Sequence, residues 1–385
     1  MDYLQQSFSV KFDYRVHFTT GLINLANSLL NDFFLAQLSD AENRKIFFII
    51  DQHVASHHPS LLQEINDYFA KYKTVELVKD ILLIPGGEIA KNDPSHFDKI
   101  VEAVNEYRID RHSYIAAIGG GSILDLAGYA AAISHRGIKH IRIPTTVLSQ
   151  NDSGVGVKNG VNYKNKKNFL GTFAPPVAVF NDYHFLTTLS DRDWRSGISE
   201  AIKVSLIKDK SFFEWLEANA VKLVNREKPV MEHLIKRCAE LHIKHISSGD
   251  PFESGSSRPL DFGHWSAHKL EQLSDFEVTH GEAVAMGIAL DSMYSWFAGY
   301  LPWADYERIA AVLKTLGFSL FHPLMNIEQE NSPIIKGLQE FQEHLGGQLT
   351  IMLLSAIGKG EEVHSIDTSL LIQAAKKLKA PYVLV

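Results

Sequence analysis

The first half of the chain repeats one pattern: a short β-branched or aromatic run, then a polar turn, then a helical stretch. The run KIFFIID ends at Asp51, SLLQEINDYFAKY has helical spacing, SYIAAIGGG leads into a glycine-rich turn, and HIRIPTT forms a further run. Strands that alternate with helices favour a parallel sheet with helices on both faces. Ligands bind such sheets beyond the carboxyl ends of the strands, where the glycine turn and Pro144-Thr145-Thr146 fall.

The second half of the chain has a different pattern, because the strand-like runs fade from about Asp182 onward. Long segments such as SGISEAIKVSLIKDKSFFEWLEANAVKLV and PVMEHLIKRCAELHIKHIS carry helical apolar spacing. We therefore predict an α/β protein in which an N-terminal doubly wound, Rossmann-like parallel sheet is followed by a mainly α-helical domain. The boundary is placed after PPVAVFND, which gives domains 1–182 and 183–385.

Composition excludes several classes of protein. The formal net charge of -7 provides no basic surface for nucleic acid, and Cys238 is the one cysteine, so neither an intrachain disulfide nor a cysteine-zinc cluster can form. No apolar run approaches the ~18 residues that indicate a membrane span. The N-terminal residues alternate apolar and polar types instead of forming a basic and then an apolar segment. We expect a cytoplasmic protein with no nucleic-acid or membrane partner.

A glycine-rich turn marks a candidate phosphate-binding site. Gly119-Gly120-Gly121 follows an apolar run and precedes Asp125 and a helical stretch, so exposed backbone N–H groups could approach a pyrophosphate. Asp51, at the end of its strand, could accept hydrogen bonds from a ribose. On these residues alone, a tight connection and a turn or capping aspartate remain equally open interpretations.

A group of histidines marks a candidate metal site in the second half. His264 and His268 lie four residues apart in FGHWSAH, on one face of a helix, and His280 follows in THGEAVAMG. Glu200 adds a carboxylate, and three protein ligands with one open position are typical of catalytic zinc sites. Surface or capping histidines at this spacing are the alternative.

The polar stretch from Asp152 to Lys167 contains several lysines among glycines. One interpretation is a solvated, basic surface loop. Apolar segments on both sides favour a second interpretation, a loop at the rim of the sheet, where lysines suit a phosphate. The polar side chains of the stretch are Asp152, Lys158, Asn162, Lys164, Lys166 and Lys167.

Six separated motifs together resemble a known family. GGGSILDLAG, RGIKHIRIPTTVLSQNDSGVGVKNGVN, KKNFLG, SGISEAIK, FGHWSAH and HGEAVAMG occur in the order and spacing of 3-dehydroquinate synthase and its sugar phosphate cyclase relatives. The resemblance implies a homodimeric enzyme that uses NAD and a divalent metal, zinc or cobalt. NAD would bind domain 1–182, and the metal and substrate would bind domain 183–385.

The resemblance also implies roles for individual residues. Metal ligation falls to Glu200, His264 and His280, with His268 as the neighbouring catalytic histidine. Further catalytic roles fall to Lys158, Lys203 and Asp152. Substrate contacts are implied for Arg136, Asp152, Lys158, Asn168 and Lys203. NAD contacts are implied for Asp51, Glu88, Lys91, Gly120, Gly121, Asp125, Thr145, Thr146, Lys167, Thr188 and Asp193.

The family reaction closes a sugar phosphate into a ring through transient oxidation by NAD, elimination of phosphate, reduction and intramolecular aldol addition. This sequence departs from the residues that hold a substrate carboxylate in 3-dehydroquinate synthase. Asp261 replaces an asparagine, and Ser257 and Ile243 replace an arginine and a lysine. Lys244 and Arg258 are each displaced by one position, which turns a helical side chain by about 100°.

These departures change the expected substrate. Asp261 beside a substrate carboxylate would bring like charges together, so it suits a hydroxyl group better. Sedoheptulose 7-phosphate ends in a hydroxymethyl group and would give a valiolone-type C7 cyclitol. His344 is the candidate replacement for a phosphate-side lysine of the family, with a helix-terminal histidine as the alternative interpretation. Asp261 and His344 therefore join the predicted substrate contacts.

Three other functions are alternatives. The first is 3-dehydroquinate synthase itself, acting on 3-deoxy-arabino-heptulosonate 7-phosphate. The second is a metal-dependent polyol dehydrogenase, which would form NADH in net amounts. The third is a sugar-phosphate sensor without activity, which would be expected to lose ligands or lysines, although Lys158 and Lys203 are both present.

Overall fold

The computed structural model describes residues 3–37, 44–164, 166–248, 252, 260–329, 331–344 and 348–379, with only the backbone of residue 344. The chain divides into two compact units. The first consists of residues 1–145 and 157–184, and the second of residues 146–156 and 185–385. The segment 146–156, which the sequence placed in the first domain, therefore packs with the second unit.

A parallel sheet forms the centre of the first unit. Within the described residues it has seven strands: β1 (Arg15–Thr19), β2 (Lys45–Asp51), β3 (Glu76–Leu77), β4 (Leu82–Ile84), β5 (Tyr114–Gly119), β6 (Lys139–Pro144) and β9 (Ala178–Asp182). Their order is β1-β9-β6-β5-β2-β3, with β4 paired to β2. The predicted runs KIFFIID, SYIAAIG and HIRIP are the adjacent strands β2, β5 and β6. The predicted α/β class is thus confirmed.

Helices pack against this sheet through apolar side chains. Ile100 and Val104 of one helix and Leu124 and Ala127 of another join strand residues such as Ile115 in one buried cluster. Burial of both sheet faces explains why the central strands read as continuous apolar runs. The helices are α1 (Leu29–Gln37), α2 (Gln52–His57), α3 (Leu61–Lys71), α4 (Ile89–Asn92), α5 (Pro94–Glu106) and α6 (Gly121–Ile133), with a 3₁₀ turn at Ser134–Arg136.

The polar stretch between Asp152 and Lys167 is not a plain surface loop. Its first residues belong to a π-helix, Ser149–Ser153, and from Lys158 onward it enters an antiparallel hairpin of β7 (Lys158–Tyr163) and β8 (Lys166–Phe173). Pairing between strands satisfies backbone groups that a loop would leave to water. Most side chains of β8 are exposed, so the basic, solvated character of the stretch is retained.

Helices make up most of the second unit, as predicted. Helix α11 (His280–Phe297) is buried along nearly its whole length, from Gly281 to Ser295, and contacts four other helices of this unit. The elements are α7 (Asp191–Lys208), α8 (Lys210–Val224), α9 (Lys228–Ile246), α10 (His264–Leu273), α11 (His280–Phe297), α12 (Trp303–Thr315), α13 (Lys336–His344) and α14 (Thr368–Lys379), with a hairpin of β10 (Ile351–Ala356) and β11 (Lys359–Val363). Short 3₁₀ turns lie at Tyr183–Thr188, Pro323–Met325 and Pro333–Ile335. Across the described ranges, every helix is too short or too polar to span a bilayer.

Candidate active site

A carboxylate and two imidazoles converge in the second unit. Glu200 lies on α7, His264 begins α10 and His280 begins α11. Their potential ligand atoms all lie within 4.8 Å of one another. The Nε2 atoms of His264 and His280 lie 3.5 and 3.4 Å from Glu200 Oε1. The structure thus brings together the three residues predicted as metal ligands.

The other nitrogen of each imidazole has a hydrogen-bond partner. His264 Nδ1 lies 3.1 Å from the carbonyl oxygen of Phe262, and His280 Nδ1 lies 3.1 Å from Glu271 Oε2. A carbonyl oxygen accepts only, and so does an ionised carboxylate, so each Nδ1 carries the proton and donates. In the neutral imidazoles each Nε2 then carries a lone pair, and both Nε2 atoms face Glu200. Partners of this kind orient metal-bound histidines in proteins.

These residues fit a divalent metal ion. Glu200 is buried, and Oε1 has no hydrogen-bond donor within the described part of the chain. A buried carboxylate oxygen facing two imidazole lone pairs would be electrostatically unfavourable without a cation between them. Two histidines and one carboxylate form a ligand set that zinc uses in catalytic sites.

His268 lies beside this group without belonging to it. Its ring centroid is 5.4 Å from that of His264 and 5.8 Å from that of His280. A second set of potential ligand atoms, from His268, Glu271 and His280, also lies within 4.8 Å. Since Glu271 already accepts the Nδ1 proton of His280, we interpret this set as the support of the first.

A buried lysine connects the carboxylates of the site. Lys203 lies one turn after Glu200 on α7, and its ammonium group pairs with the Glu200 carboxylate. Burial opposes the charged form of Lys203, but Glu200 and Asp152 raise its pKa above the ordinary value. Burial likewise opposes the charged form of Glu200, and the charge of Lys203 holds the pKa of Glu200 well below its usual range. All these groups are therefore charged at neutral pH.

Asp152 reaches this group from the π-helix. Burial raises the pKa of Asp152, but Lys203 and His242 lower it more, so the carboxyl group is ionised. Asn151 Nδ2 donates to the carbonyl oxygen of Gly197 over 2.6 Å and ties the π-helix to α7. A Cβ atom at Gly197 would lie 2.4 Å from the backbone nitrogen of Leu148. Glycine at this position therefore allows the close approach that places Asp152.

A buried aspartate supports the start of α10. Asp291 on α11 accepts hydrogen bonds from Trp265 Nε1 at 2.9 Å and from the backbone nitrogen of Gly263 at 3.0 Å. Gly263 has a φ of 78°, a conformation that favours glycine. Asp291 thereby fixes the residues on both sides of His264.

The predicted cofactor residues of the first unit lie at the carboxyl edge of the sheet. Gly119 pairs with Pro144 across β5 and β6, so Gly120 and Thr145 follow at the same edge, and Thr145 N donates to the Gly119 carbonyl oxygen over 3.1 Å. Gly120 caps the N-terminus of α6, which begins at Gly121. Asp51 ends β2 and accepts a hydrogen bond from the backbone nitrogen of His53. This arrangement suits a nucleotide phosphate and ribose.

A hydrogen-bonded network joins further predicted cofactor residues. Lys91 Nζ lies 2.8 Å from Asp125 Oδ2 and also bonds to Asn168 Oδ1. Glu88 Oε1 accepts a hydrogen bond from Asn162 Nδ2 over 2.6 Å. Asn168, predicted to contact substrate, is therefore bonded to a predicted cofactor residue.

The remaining predicted residues lie in several places. In the first unit, Lys158 begins β7 and Arg136 ends a 3₁₀ turn, and both side chains are exposed. Lys167 lies on β8. Three predicted cofactor residues belong to the second unit, where each bonds locally. They are Thr146 with Ser149, Thr188 with the Phe185 carbonyl oxygen, and Asp193 with Ser190.

The residues that differ from the family pattern are partly described. The charge of Asp261 adds to that of Glu200 and Asp152 in raising the pKa of Lys203. On α9, His242 reaches Asp152, whereas Lys244 is exposed and Ile243 offers no polar group. Ser257, Arg258 and the side chain of His344 lie outside the described residues.

Sequence patterns missed several residues of the site. Glu271, His242 and Asp291 each bond to a partner that is 9 to 90 residues away in the chain. Arg142, fully buried on β6, donates from Nη2 to the Lys158 carbonyl oxygen at 2.8 Å and to Asn159 Oδ1 at 2.7 Å. The one available signal was an arginine within the apolar run HIRIP.

The fold and the site define a class: an α/β protein with a nucleotide-binding type of sheet edge and a helical unit bearing two histidines and one carboxylate. Two family models agree with this class. The model described as 3-dehydroquinate synthase N-terminal matches residues 81–196, and the model described as 3-dehydroquinate synthase C-terminal matches residues 197–336. A 3-dehydroquinate synthase of Thermodesulfovibrio yellowstonii is 36% identical over 280 residues, 72% of this chain and 77% of the relative. The chain belongs to the 3-dehydroquinate synthase family of sugar phosphate cyclases.

Solved structures of two family members are similar over nearly the whole chain. The 2-epi-5-epi-valiolone synthase of Streptomyces hygroscopicus subsp. jinggangensis, with NAD+ and Zn2+ bound, has a TM-score of 0.86 at 28% identity and covers 97% of this chain and 99% of its own. A 2-deoxy-scyllo-inosose synthase complexed with carbaglucose-6-phosphate, NAD+ and Co2+ has a TM-score of 0.78 at 25% identity, with 94% and 96% covered.

Proposed function

We propose that the chain is a phosphate-eliminating lyase that converts sedoheptulose 7-phosphate into a valiolone-type C7 cyclitol. The observation that carries this proposal is the charge of the site in the second unit. The carboxylates of Glu200, Asp152 and Asp261 all act on one buried ammonium group, that of Lys203. A bound metal would offset the charge of Glu200, so Asp261 decides: a substrate carboxylate beside it would meet like charge, whereas a hydroxyl group would find an acceptor. The likeness to a valiolone synthase supports the same choice.

Bound NAD would supply a reversible hydride acceptor, and a bound Zn2+ or Co2+ would supply positive charge beside an alcohol oxygen. Glu200, His264 and His280 would hold the metal. NAD would be held by the sheet-edge residues Asp51, Gly120 and Thr145 and by the network around Lys91. Further contacts with NAD would come from Gly121, Thr146, Lys167, Thr188 and Asp193.

The chain's own side chains would position substrate and neutralise charge. Asp152 accepts hydrogen bonds from ring hydroxyls, and Lys203 donates to a hydroxyl oxygen. Lys158 and Arg136 balance the charge of the phosphate, and His268 can hold a proton at a ring nitrogen beside the two ligand histidines. In the overall reaction one C–O bond to phosphate breaks and one C–C bond forms, so the sugar undergoes no net oxidation.

Phosphate release from two sugars tests the substrate. We expect turnover of sedoheptulose 7-phosphate and a kcat/KM at least about 100-fold lower for 3-deoxy-arabino-heptulosonate 7-phosphate, because like charges cost several kcal/mol in a partly buried site. Asp261→Asn should lower the ratio of the two kcat/KM values by about 10-fold or more. Asp275→Asn, at an exposed position of the same unit, is the matched control. Turnover of the carboxylated sugar alone would refute the proposal.

A second candidate is 3-dehydroquinate synthase itself, favoured by the sequence relative from T. yellowstonii that carries this name. The same assay separates the two functions. The proposal also includes a cytoplasmic location, which rests on the single cysteine and the sequence patterns described above. It further includes a homodimer, which follows from the family resemblance and is measured by light scattering of the purified protein.

A further inference from the structure

A histidine on α9 forms a pair with Asp152. His242 Nδ1 lies 2.7 Å from Asp152 Oδ1. The Asp152 carboxyl group is ionised and can only accept, so Nδ1 carries the proton and donates it. Within the described part of the chain, this is the hydrogen bond that holds the Asp152 side chain. His242 therefore fixes one oxygen of Asp152.

The His242 imidazole also packs against the backbone at Gly156, and the side chains of the His242–Asp152 pair remain partly exposed. A Cβ atom at Gly156 would lie 3.3 Å from His242 Nε2, so the ring packs closely against the backbone there. The side chains of His242 and Asp152 are 16% and 25% exposed. Because Oδ1 is engaged by His242, Oδ2 is the oxygen of Asp152 that a ligand can use.

We propose that His242 is the positioning residue of Asp152, which it holds so that Oδ2 accepts a hydrogen bond from a substrate hydroxyl. The choice of hydroxyl rests on the function proposed above. Lys203 attracts the same carboxylate, and it already pairs with Glu200. Without the His242 bond, Asp152 would turn toward the ammonium group of Lys203 and lose the orientation that a hydroxyl requires.

The same pair bears on the class of substrate. His242 directs its Nδ1 proton to Asp152, and the neighbouring Lys244 is exposed. His242 is thus engaged with Asp152, and a substrate at this position meets the ionised carboxylate of Asp152 instead of a free cation from α9. Such a site favours a polyhydroxylated sugar phosphate over one that bears a carboxylate.

Three substitutions on the full chain loaded with NAD+ and Zn2+ test this role. His242→Asn keeps an N–H donor near the position of Nδ1, whereas His242→Gln moves the donor outward and His242→Leu removes it. On the sugar phosphate that the wild type turns over, we expect His242→Leu and His242→Gln to lower kcat/KM by about 10- to 100-fold, mainly through KM. His242→Asn should restore kcat/KM to within about 3-fold of the wild type.

Combination with Asp152→Asn separates positioning from a structural role. If His242 acts through Asp152, His242→Leu should lower kcat/KM by less than about 2-fold further in the Asp152→Asn background. Equal losses in both backgrounds, or an Asn variant as impaired as the Gln variant, would overturn the proposal. If the Leu variant does not fold, the comparison of Asn with Gln decides alone.

The two proposals fail in different ways. Turnover of the carboxylated sugar by the wild type would refute the proposed function. The double-mutant cycle, measured on that sugar, would still decide whether His242 acts through Asp152.

Discussion

At the scale of single residues, the proposed metal site depends on which nitrogen of each imidazole carries a proton. The carbonyl oxygen of Phe262 and the Glu271 carboxylate each accept from an Nδ1 atom, so that both Nε2 atoms face Glu200. Glu200 contributes the negative charge, and Glu271 contributes orientation. The two carboxylates should therefore differ in what they do for metal binding.

Substitution of each carboxylate by its amide tests this difference. Glu200→Gln should remove stoichiometric zinc and lower activity by more than about 100-fold, because a ligand and its charge are lost. Glu271→Gln should keep zinc but weaken its affinity by about 10- to 100-fold. Metal content after dialysis against a graded chelator measures both. Full zinc occupancy in the Glu200→Gln variant would contradict the proposed ligand set.

Part of this site could be predicted at the residue scale. The four-residue spacing of His264 and His268 placed both on one helix face, and motif order supplied Glu200 and His280. Residues that act on the site from another element have no such local signal. His242 lies 90 residues from Asp152, and Asp291 lies 28 residues from Gly263.

At the scale of elements, helix α11 holds α10 in place through Asp291. Burial raises the pKa of Asp291 to about 7, although the hydrogen bonds from Trp265 and Gly263 oppose this shift. In the folded protein the carboxyl group keeps its proton up to about pH 7, whereas in the unfolded chain it ionises near its ordinary value of 3.8. Folding therefore takes up a proton between these pH values, and this contribution to stability is lost as the pH rises.

Asp291→Asn removes this dependence on pH. Between pH 4 and pH 8, the wild type should lose up to about 4 kcal/mol of stability relative to the variant, since each pKa unit corresponds to about 1.4 kcal/mol. Urea unfolding of both proteins at several pH values measures the difference. A gap between the two midpoints that stays constant with pH would show that Asp291 is ionised throughout.

The contact between α7 and the π-helix gives a second prediction at this scale. Gly197→Ala would place a Cβ atom 2.4 Å from Leu148 N and 2.6 Å from the Val147 carbonyl carbon. We expect a loss of about 1–3 kcal/mol in stability and a fall of at least about 10-fold in activity, because Asp152 moves with the π-helix.

The control is Gly299→Ala, where nothing lies within 4 Å of an added Cβ and φ is +79°. Its backbone strain should cost about 1–2 kcal/mol without lowering kcat. Melting temperature and kcat are measured for both variants. Equal activity in the Gly197→Ala variant and the control would contradict the role of this contact.

Elements of the first unit were the easiest to predict. The strands Lys45–Asp51, Tyr114–Gly119 and Lys139–Pro144 are buried apolar runs, and their short length and their β-branched or aromatic residues indicate strands locally. The segment 146–156 could not be assigned in this way. Its place in the second unit depends on Gly197 and His242, which are distant in sequence.

At the scale of the whole molecule, the chain assigns different chemistry to its two units. The sheet edge of the first unit presents backbone amides and Asp51, and the second presents the Glu200 and histidine group. In the proposed function, most of the NAD contacts fall in the first unit and the divalent metal falls in the second. A cyclase uses both without consuming NAD, whereas a polyol dehydrogenase would accumulate NADH.

The most direct test of the account is product identification by NMR. The purified protein is incubated with sedoheptulose 7-phosphate, Zn2+ or Co2+, and NAD+ at a small fraction of the sugar concentration. We predict a C7 cyclitol and one equivalent of phosphate per sugar, with no accumulation of NADH absorbance. Unchanged sugar phosphate, in a preparation that converts 3-deoxy-arabino-heptulosonate 7-phosphate to dehydroquinate, would contradict the proposed substrate. NADH formed in proportion to the sugar would contradict a cyclase.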